Sequence, residues 1–119
     1  MRLVQLKLKK DTKIAKYISL IRKFDPTISV GQIKNNIENN LYAVSFDLHY
    51  FNVLEDLQGI DRKLMFRCLI SQLIAERAQL SIYVDGEIWT LEYLDNWLNT
   101  MREIEEETEH YMELESEEE

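Results

Sequence analysis

The sequence predicts an α+β fold: a small sheet covered by helices, in the order strand, helix, helix, strand, helix, strand, strand, helix, ending in a long acidic C-terminal helix. Three observations lead there. Apolar residues alternate with polar ones near both ends of the first 84 residues and again around 42–50, the period of a half-buried strand. Between these stretches they recur at three- and four-residue steps, the period of a helix with one buried stripe. The chain has 119 residues, 45% of them apolar, which is enough for one core. Neither an internal repeat nor a flexible Gly/Ser or Pro linker divides it. The expectation is one α+β domain over residues 1–102, followed at 103–119 by an acidic helical extension or frayed tail.

Each element has its own signal. Val4, Leu6 and Leu8 alternate with Gln5, Lys7 and Lys9 and form a strand with one wet face. Asp11 or Thr12 can cap a helix whose apolar positions are Ile14, Tyr17, Ile18, Ile21 and Phe24. Asp25-Pro26 ends it, because the residue before proline is pushed out of the α region. Ser29-Val30-Gly31-Gln32 has the form of a capping box, opening a short helix with Val30, Ile33 and Ile37 on one side. Asn39-Asn40 closes that helix. From Leu41 the period becomes two, with Tyr42, Val44, Phe46, Leu48 and Tyr50 on one face and Ala43, Ser45, Asp47 and His49 on the other. Leu54 to Gly59 reads as a connector. Asp61 then caps a helix to about Arg77, with Met65, Phe66, Leu69, Ile70, Leu73 and Ile74 as its buried stripe and Cys68 at the stripe's edge. Leu80, Ile82 and Val84 lead into the turn pair Asp85-Gly86, followed by a short return strand, Glu87 to Trp89. Thr90 caps a last helix carrying Leu91, Leu94, Trp97, Leu98 and Met101.

Charge is distributed unevenly along this pattern. The formal net charge is −8. Residues 1–86 hold 13 Lys/Arg and 9 Asp/Glu, whereas residues 87–119 hold 1 and 13. The single cysteine excludes an internal disulfide and points to a reducing compartment. No apolar run approaches the ~20 residues of a membrane span, and the alternating N-terminus lacks the apolar core of a signal peptide. A soluble, cytoplasmic protein is expected.

The stretch Ile21-Arg22, then Ile28-Ser29-Val30-Gly31-Gln32-Ile33-Lys34, then Ile37-Glu38 resembles the helical-hairpin signature of the ribosomal stalk protein's C-terminal domain. The pattern there is roughly V-R, then L-G-L-K-E-A-K, then V-E, and the resemblance covers about residues 2–84. It implies the order strand, helix, helix, strand, helix, strand. It also implies a hairpin face that recruits translation factors, with Arg22 and Lys34 at the matching positions. The chain departs from the pattern where Asp25-Pro26-Thr27 replaces the glycine of the first helix turn, and at Gln32 and Ile33. Its acidic final helix has no counterpart in the family.

Candidate chemistry is sparse. His49 and Asp47 share a strand face at a spacing that permits a hydrogen bond, but such a pair is far commoner as two solvated side chains on a surface. Glu106, His110 and Glu113 fall on one helical face, yet solvated charge is the simpler reading there. The three glycines are too scattered for a phosphate loop. No catalytic residue, metal site or cofactor is expected. In the first 34 residues 9 Lys/Arg face 2 Asp/Glu, and Lys9, Lys10, Lys13, Lys16, Arg22, Lys23 and Lys34 form a candidate basic face for phosphate or RNA. No exposed aromatic side chains are expected among them. From Glu103 to Glu119 there are ten glutamates and no basic residue, but Tyr111, Met112 and Leu114 continue a semi-apolar stripe. A tail that only solubilised the chain would have no use for these. The expected function is a non-catalytic interaction protein, of adaptor, inhibitor or immunity type, whose acidic end meets a basic protein surface or a second copy. Its anchors are Trp89, Tyr93, Trp97, Met101, Glu103, Glu106, Tyr111 and Met112. The alternative is a ribosome- or RNA-associated module using the basic face, and third an enzyme.

Overall fold

Why these residues form these elements is visible at their ends. The computed structural model describes residues 3–50 and 52–103. Its elements are β1 (Leu3–Leu8), α1 (Ile14–Phe24), α2 (Val30–Glu38), β2 (Val44–Asp47), α3 (Val53–Leu57), α4 (Arg62–Ala75), β3 (Leu80–Val84) and β4 (Glu87–Trp89). A further helix, α5, occupies residues 91–103 of the described chain. Side-chain oxygens of Ser29, Asn52, Asp61 and Thr90 accept the backbone N–H groups that open α2, α3, α4 and α5. At the far ends of α2 and α4 the chain turns through left-handed residues, Asn40 (φ 55°) and Arg77 (φ 61°). Paired N–H bonds run back from Leu41 to the Asn36 carbonyl and from Ala78 to that of Leu73, the two-bond closure that satisfies orphan helix carbonyls. Asp85 and Gly86 both take positive φ, as a two-residue hairpin turn between right-twisted strands requires.

Contacts divide the chain into a unit Met1–Trp89 and a second, Thr90–Glu119. The first is an α+β unit built on a four-stranded antiparallel sheet of order β2-β1-β3-β4. Val4 and Leu6 of central β1 lie beside Phe46 and Val44 of β2 and beside Val84 and Ile82 of β3. All six are buried on one face, under Tyr17, Ile18, Leu20, Ile21 and Phe24 of α1 and Phe66, Leu69, Ile70 and Leu73 of α4. Phe24, Phe46 and Phe66 meet as a triad with ring centroids 5.4–5.7 Å apart, tying α1, β2 and α4 together. Ile33 and Ile37 place α2 in the same core. Among the described residues no helix is long and apolar enough to cross a membrane.

Several expectations are corrected. The second strand covers Val44–Asp47 instead of 42–50. It stops because the Asp47 carboxylate accepts the His49 N–H (2.9 Å) and the Asp47 carbonyl the Tyr50 N–H (2.9 Å), a local turn that competes with the ladder. At its other end a bend at Ala43 buries Ala43 and Val44 in succession, so Tyr42 leaves the apolar face. The connector after it contains a helix, α3. The buried stripe of α4 is narrower than predicted, with Met65 and Ile74 exposed and Cys68 exposed as well. A helix lying over a sheet covers one side, and six apolar positions are more than that side holds. Neither expected residue caps α1: its N-cap position is Lys13, and Asp11, two residues ahead, accepts the Lys13 N–H at 2.7 Å and the Tyr17 hydroxyl at 2.6 Å.

Candidate interaction surfaces

Among the described residues, the segment from α3 to the first turn of α4 carries six exposed apolar side chains. Asn52 starts α3 by accepting the Glu55 N–H at 3.1 Å. The Glu55 carboxylate then accepts the Tyr50 hydroxyl and the Arg62 Nε–H, the latter at 2.6 Å. This three-residue latch pins the loop before α3 to the first residue of α4. Hydrogen bonds from Tyr50 and Arg62 hold the Glu55 carboxyl below the usual carboxylate range, and the same bond raises the Tyr50 phenol. With Glu55 committed to the latch, the apolar residues of the segment face water. Val53, Leu54, Leu57 and Leu64 are 60–78% exposed, and Ile60 and Met65 are exposed too. Single exposed leucines are ordinary, but six exposed apolar residues between positions 53 and 65 make this segment a candidate interaction surface. Reading 54–59 as a connector missed it. The available signal was the pair Leu54 and Leu57, too apolar for a solvent loop.

On α5, Tyr93 and Glu103 are exposed and Trp97 and Met101 half-buried. Trp89 belongs to β4 of the first unit, half-buried beside Ile82. Glu106, Tyr111 and Met112 lie outside the described residues, as do His110 and Glu113.

The basic residues have distinct surroundings. Lys10 pairs with Glu38 at 3.4 Å. Lys13 binds both the carbonyl (3.3 Å) and the carboxylate (3.5 Å) of Glu76 at the end of α4, where a cation complements the helix dipole. Arg22 donates to the Ile28 carbonyl at 3.1 Å and the Pro26 carbonyl at 3.4 Å, so its guanidinium braces the loop between α1 and α2. Lys9, Lys16, Lys23 and Lys34 are exposed.

The face of the sheet opposite the helices is polar and carries two aromatic rings. Leu3, Gln5 and Lys7 of β1 alternate with the buried Val4, Leu6 and Leu8. Gln5 pairs across the sheet with Ser45 and Tyr83, and Lys7 with Ser81. The rings of Tyr42 and Tyr83 meet edge to face at 5.5 Å, and the Lys7 ammonium lies 5.1 and 5.2 Å from their centroids. Both rings are half-buried, and it is the bend at Ala43 that turns Tyr42 onto this face.

The Asp47 carboxylate, at the end of β2, accepts the His49 N–H, and His49 stands in a turn rather than on the strand. Among the described residues no group of three or more His, Cys, Asp or Glu is placed to hold a metal ion. Comparison with protein-family models, curated proteins and solved structures gives no match. The functional reading therefore rests on the surfaces themselves.

Proposed function

We propose that this chain is a non-catalytic protein–protein interaction module, of adaptor, inhibitor or immunity type. One observation carries the reading: the exposed apolar group on α3 and the first turn of α4, held in place by the Glu55 latch. The partner in this reading presents an apolar surface to Leu54, Leu57 and Leu64, with basic residues that complement the acidic end of the chain. That end, read as a long acidic helix, supplies attraction and orientation through its balance of 1 Lys/Arg to 13 Asp/Glu over residues 87–119, and Tyr93, Trp97 and Met101 add apolar anchors to it. A cytoplasmic setting suits the single thiol.

The test captures partners from the native cell on the full-length chain, then measures affinity for the purified partner. Leu54→Ser and Leu57→Ser should each leave the melting temperature unchanged, because both side chains are solvent-exposed. Each should weaken binding about tenfold or more. Affinity should also fall steeply with ionic strength. Unchanged affinity in both leucine variants would overturn the surface, and a flat salt dependence the electrostatic part.

A further inference from the structure

The face of the sheet away from the helices has the chemistry of a nucleic-acid platform. Cross-strand register sets Ser45, Gln5 and Tyr83 in one row. The next row holds Lys7 and Ser81, and the bend at Ala43 brings Tyr42 against Tyr83 there. Neighbouring strands lie ~4.8 Å apart, so three strands present rings, an ammonium, an amide and hydroxyls over about 10 Å. Gln5 Nε2 donates to Ser45 Oγ at 3.1 Å, which ties the amide to the neighbouring strand. Among the described residues no carboxylate pairs with Lys7, whose ammonium lies over the two rings. Lys9 continues the same alternation and is exposed.

This composition argues against a protein partner at this face. The buried centres of protein interfaces are depleted in lysine and serine, and only Leu3 and Ile88, at the margins, are aliphatic here. A polyanion with exposed flat rings fits better. Lysine matches phosphate, and tyrosine rings stack on bases with little regard to sequence. The positive charge at this face comes from Lys7 and Lys9, with Asp47 at its margin beside Leu3.

We infer that this face binds a short stretch of single-stranded nucleic acid. The Lys7 ammonium, on its flexible stem, leaves the rings for a phosphate, and bases take its place against Tyr42 and Tyr83. A duplex, whose bases are already stacked, gains nothing from the rings. This site is separate from the apolar surface on α3 and α4 and does not rest on it.

The test uses the full-length chain and labelled single strands of thymidine or uridine, about twelve nucleotides long, against a duplex of equal length. Fluorescence anisotropy is read at about 50 and 200 mM salt. The single strands should bind more tightly than the duplex, and their affinity should fall with salt. Tyr42→Ala and Tyr83→Ala should each weaken binding about five- to a hundredfold, while Tyr83→Phe, which keeps the ring, should bind like the wild type. Circular dichroism and melting are measured on every variant, and Lys7→Gln, which leaves both rings in place, should lower affinity and flatten the salt dependence. Three results would overturn the inference. One is no single-strand binding at the lower salt. Another is equal binding of duplex and single strand with the tyrosine variants unchanged, which means lysine attraction alone. The last is preference for a glutamate-rich peptide over either oligonucleotide. None of these outcomes involves the protein partner, so failure here is distinct from failure of the interaction-module reading.

Discussion

Tyr17 has no exposed surface, yet its hydroxyl must keep a partner, and Asp11 supplies one at 2.6 Å. Burial first, then the hydrogen bond to Asp11, pushes the Tyr17 phenol up to about 12. The bonds from Tyr17 and from the Lys13 N–H hold the Asp11 carboxyl below its usual range. The signs follow by linkage. A raised phenol stabilises the fold fully below its unfolded value of 10.0, and this stability is lost as pH rises through about 12. The lowered Asp11 stabilises it above the ordinary carboxylate range, and that is lost as the solution is acidified. Tyr17→Phe should cost about 1–2 kcal/mol at neutral pH, because a hydrogen bond to a charged acceptor goes. Subtracting its urea-midpoint profile from the wild type's should show the alkaline loss between pH 10 and 12 belonging to this residue; parallel profiles would refute that. The sequence marked Tyr17 as a core residue by helical spacing, but its bond to Asp11 six residues earlier was not legible. A capping residue announces that it will bind a backbone N–H, and says nothing of a side chain folded back onto it.

At the scale of elements, the legible features are those with local causes. Ser29 accepts the Gln32 N–H at 3.1 Å as the capping box predicts. The other half of the box differs: the Gln32 side chain donates to Asn36 at 2.9 Å instead of reaching back. Asp61 and Thr90 cap α4 and α5 where expected, and Asp85-Gly86 makes the β3–β4 turn. The end of α4 offers a test. Arg77 sits at φ 61°, where a Cβ costs about 1–2 kcal/mol that glycine avoids. Arg77→Gly should therefore raise stability by about 1 kcal/mol. Arg77→Ala, which keeps the Cβ, should not. A lowered urea midpoint in the glycine variant would show that the arginine side chain matters more than the backbone there. The short helix α3 was missed because five residues are too few for periodicity to register, and its Asn52 cap lies between the strand read to Tyr50 and the connector read from Leu54.

For the whole molecule, the triad of Phe24, Phe46 and Phe66 joins an edge strand to two helices. Phe46→Ala should cost roughly 3–5 kcal/mol, a large share of the stability of a domain this size, and should be read from chemical denaturation. A loss under ~1 kcal/mol would mean that the surrounding core closes the gap. The charge division belongs to this scale as well. The strands and helices of residues 1–89 carry the positive balance, yet they distribute it. Arg22 braces a loop, Lys10 and Lys13 are paired with glutamates, and Lys7 stands on the sheet between two tyrosines. What looked like one basic face is a set of side chains with different duties.

By itself the sequence determined the fold class, the alternation that buries Val4, Leu6 and Leu8, most helix caps and the acidic end. These depend on period, local hydrogen bonding and composition, all of which operate within a few residues. Only the tertiary structure decided which apolar residues stay in water, because the width of α4's buried stripe depends on how much of it the sheet and α1 can cover. The same holds for the tyrosine–lysine group: Lys7, Tyr42 and Tyr83 meet only because strand order places β1 beside β3 and a one-residue bend reverses the face of Tyr42. Long-range strand pairing creates the tyrosine–lysine group, and no local pattern announces it.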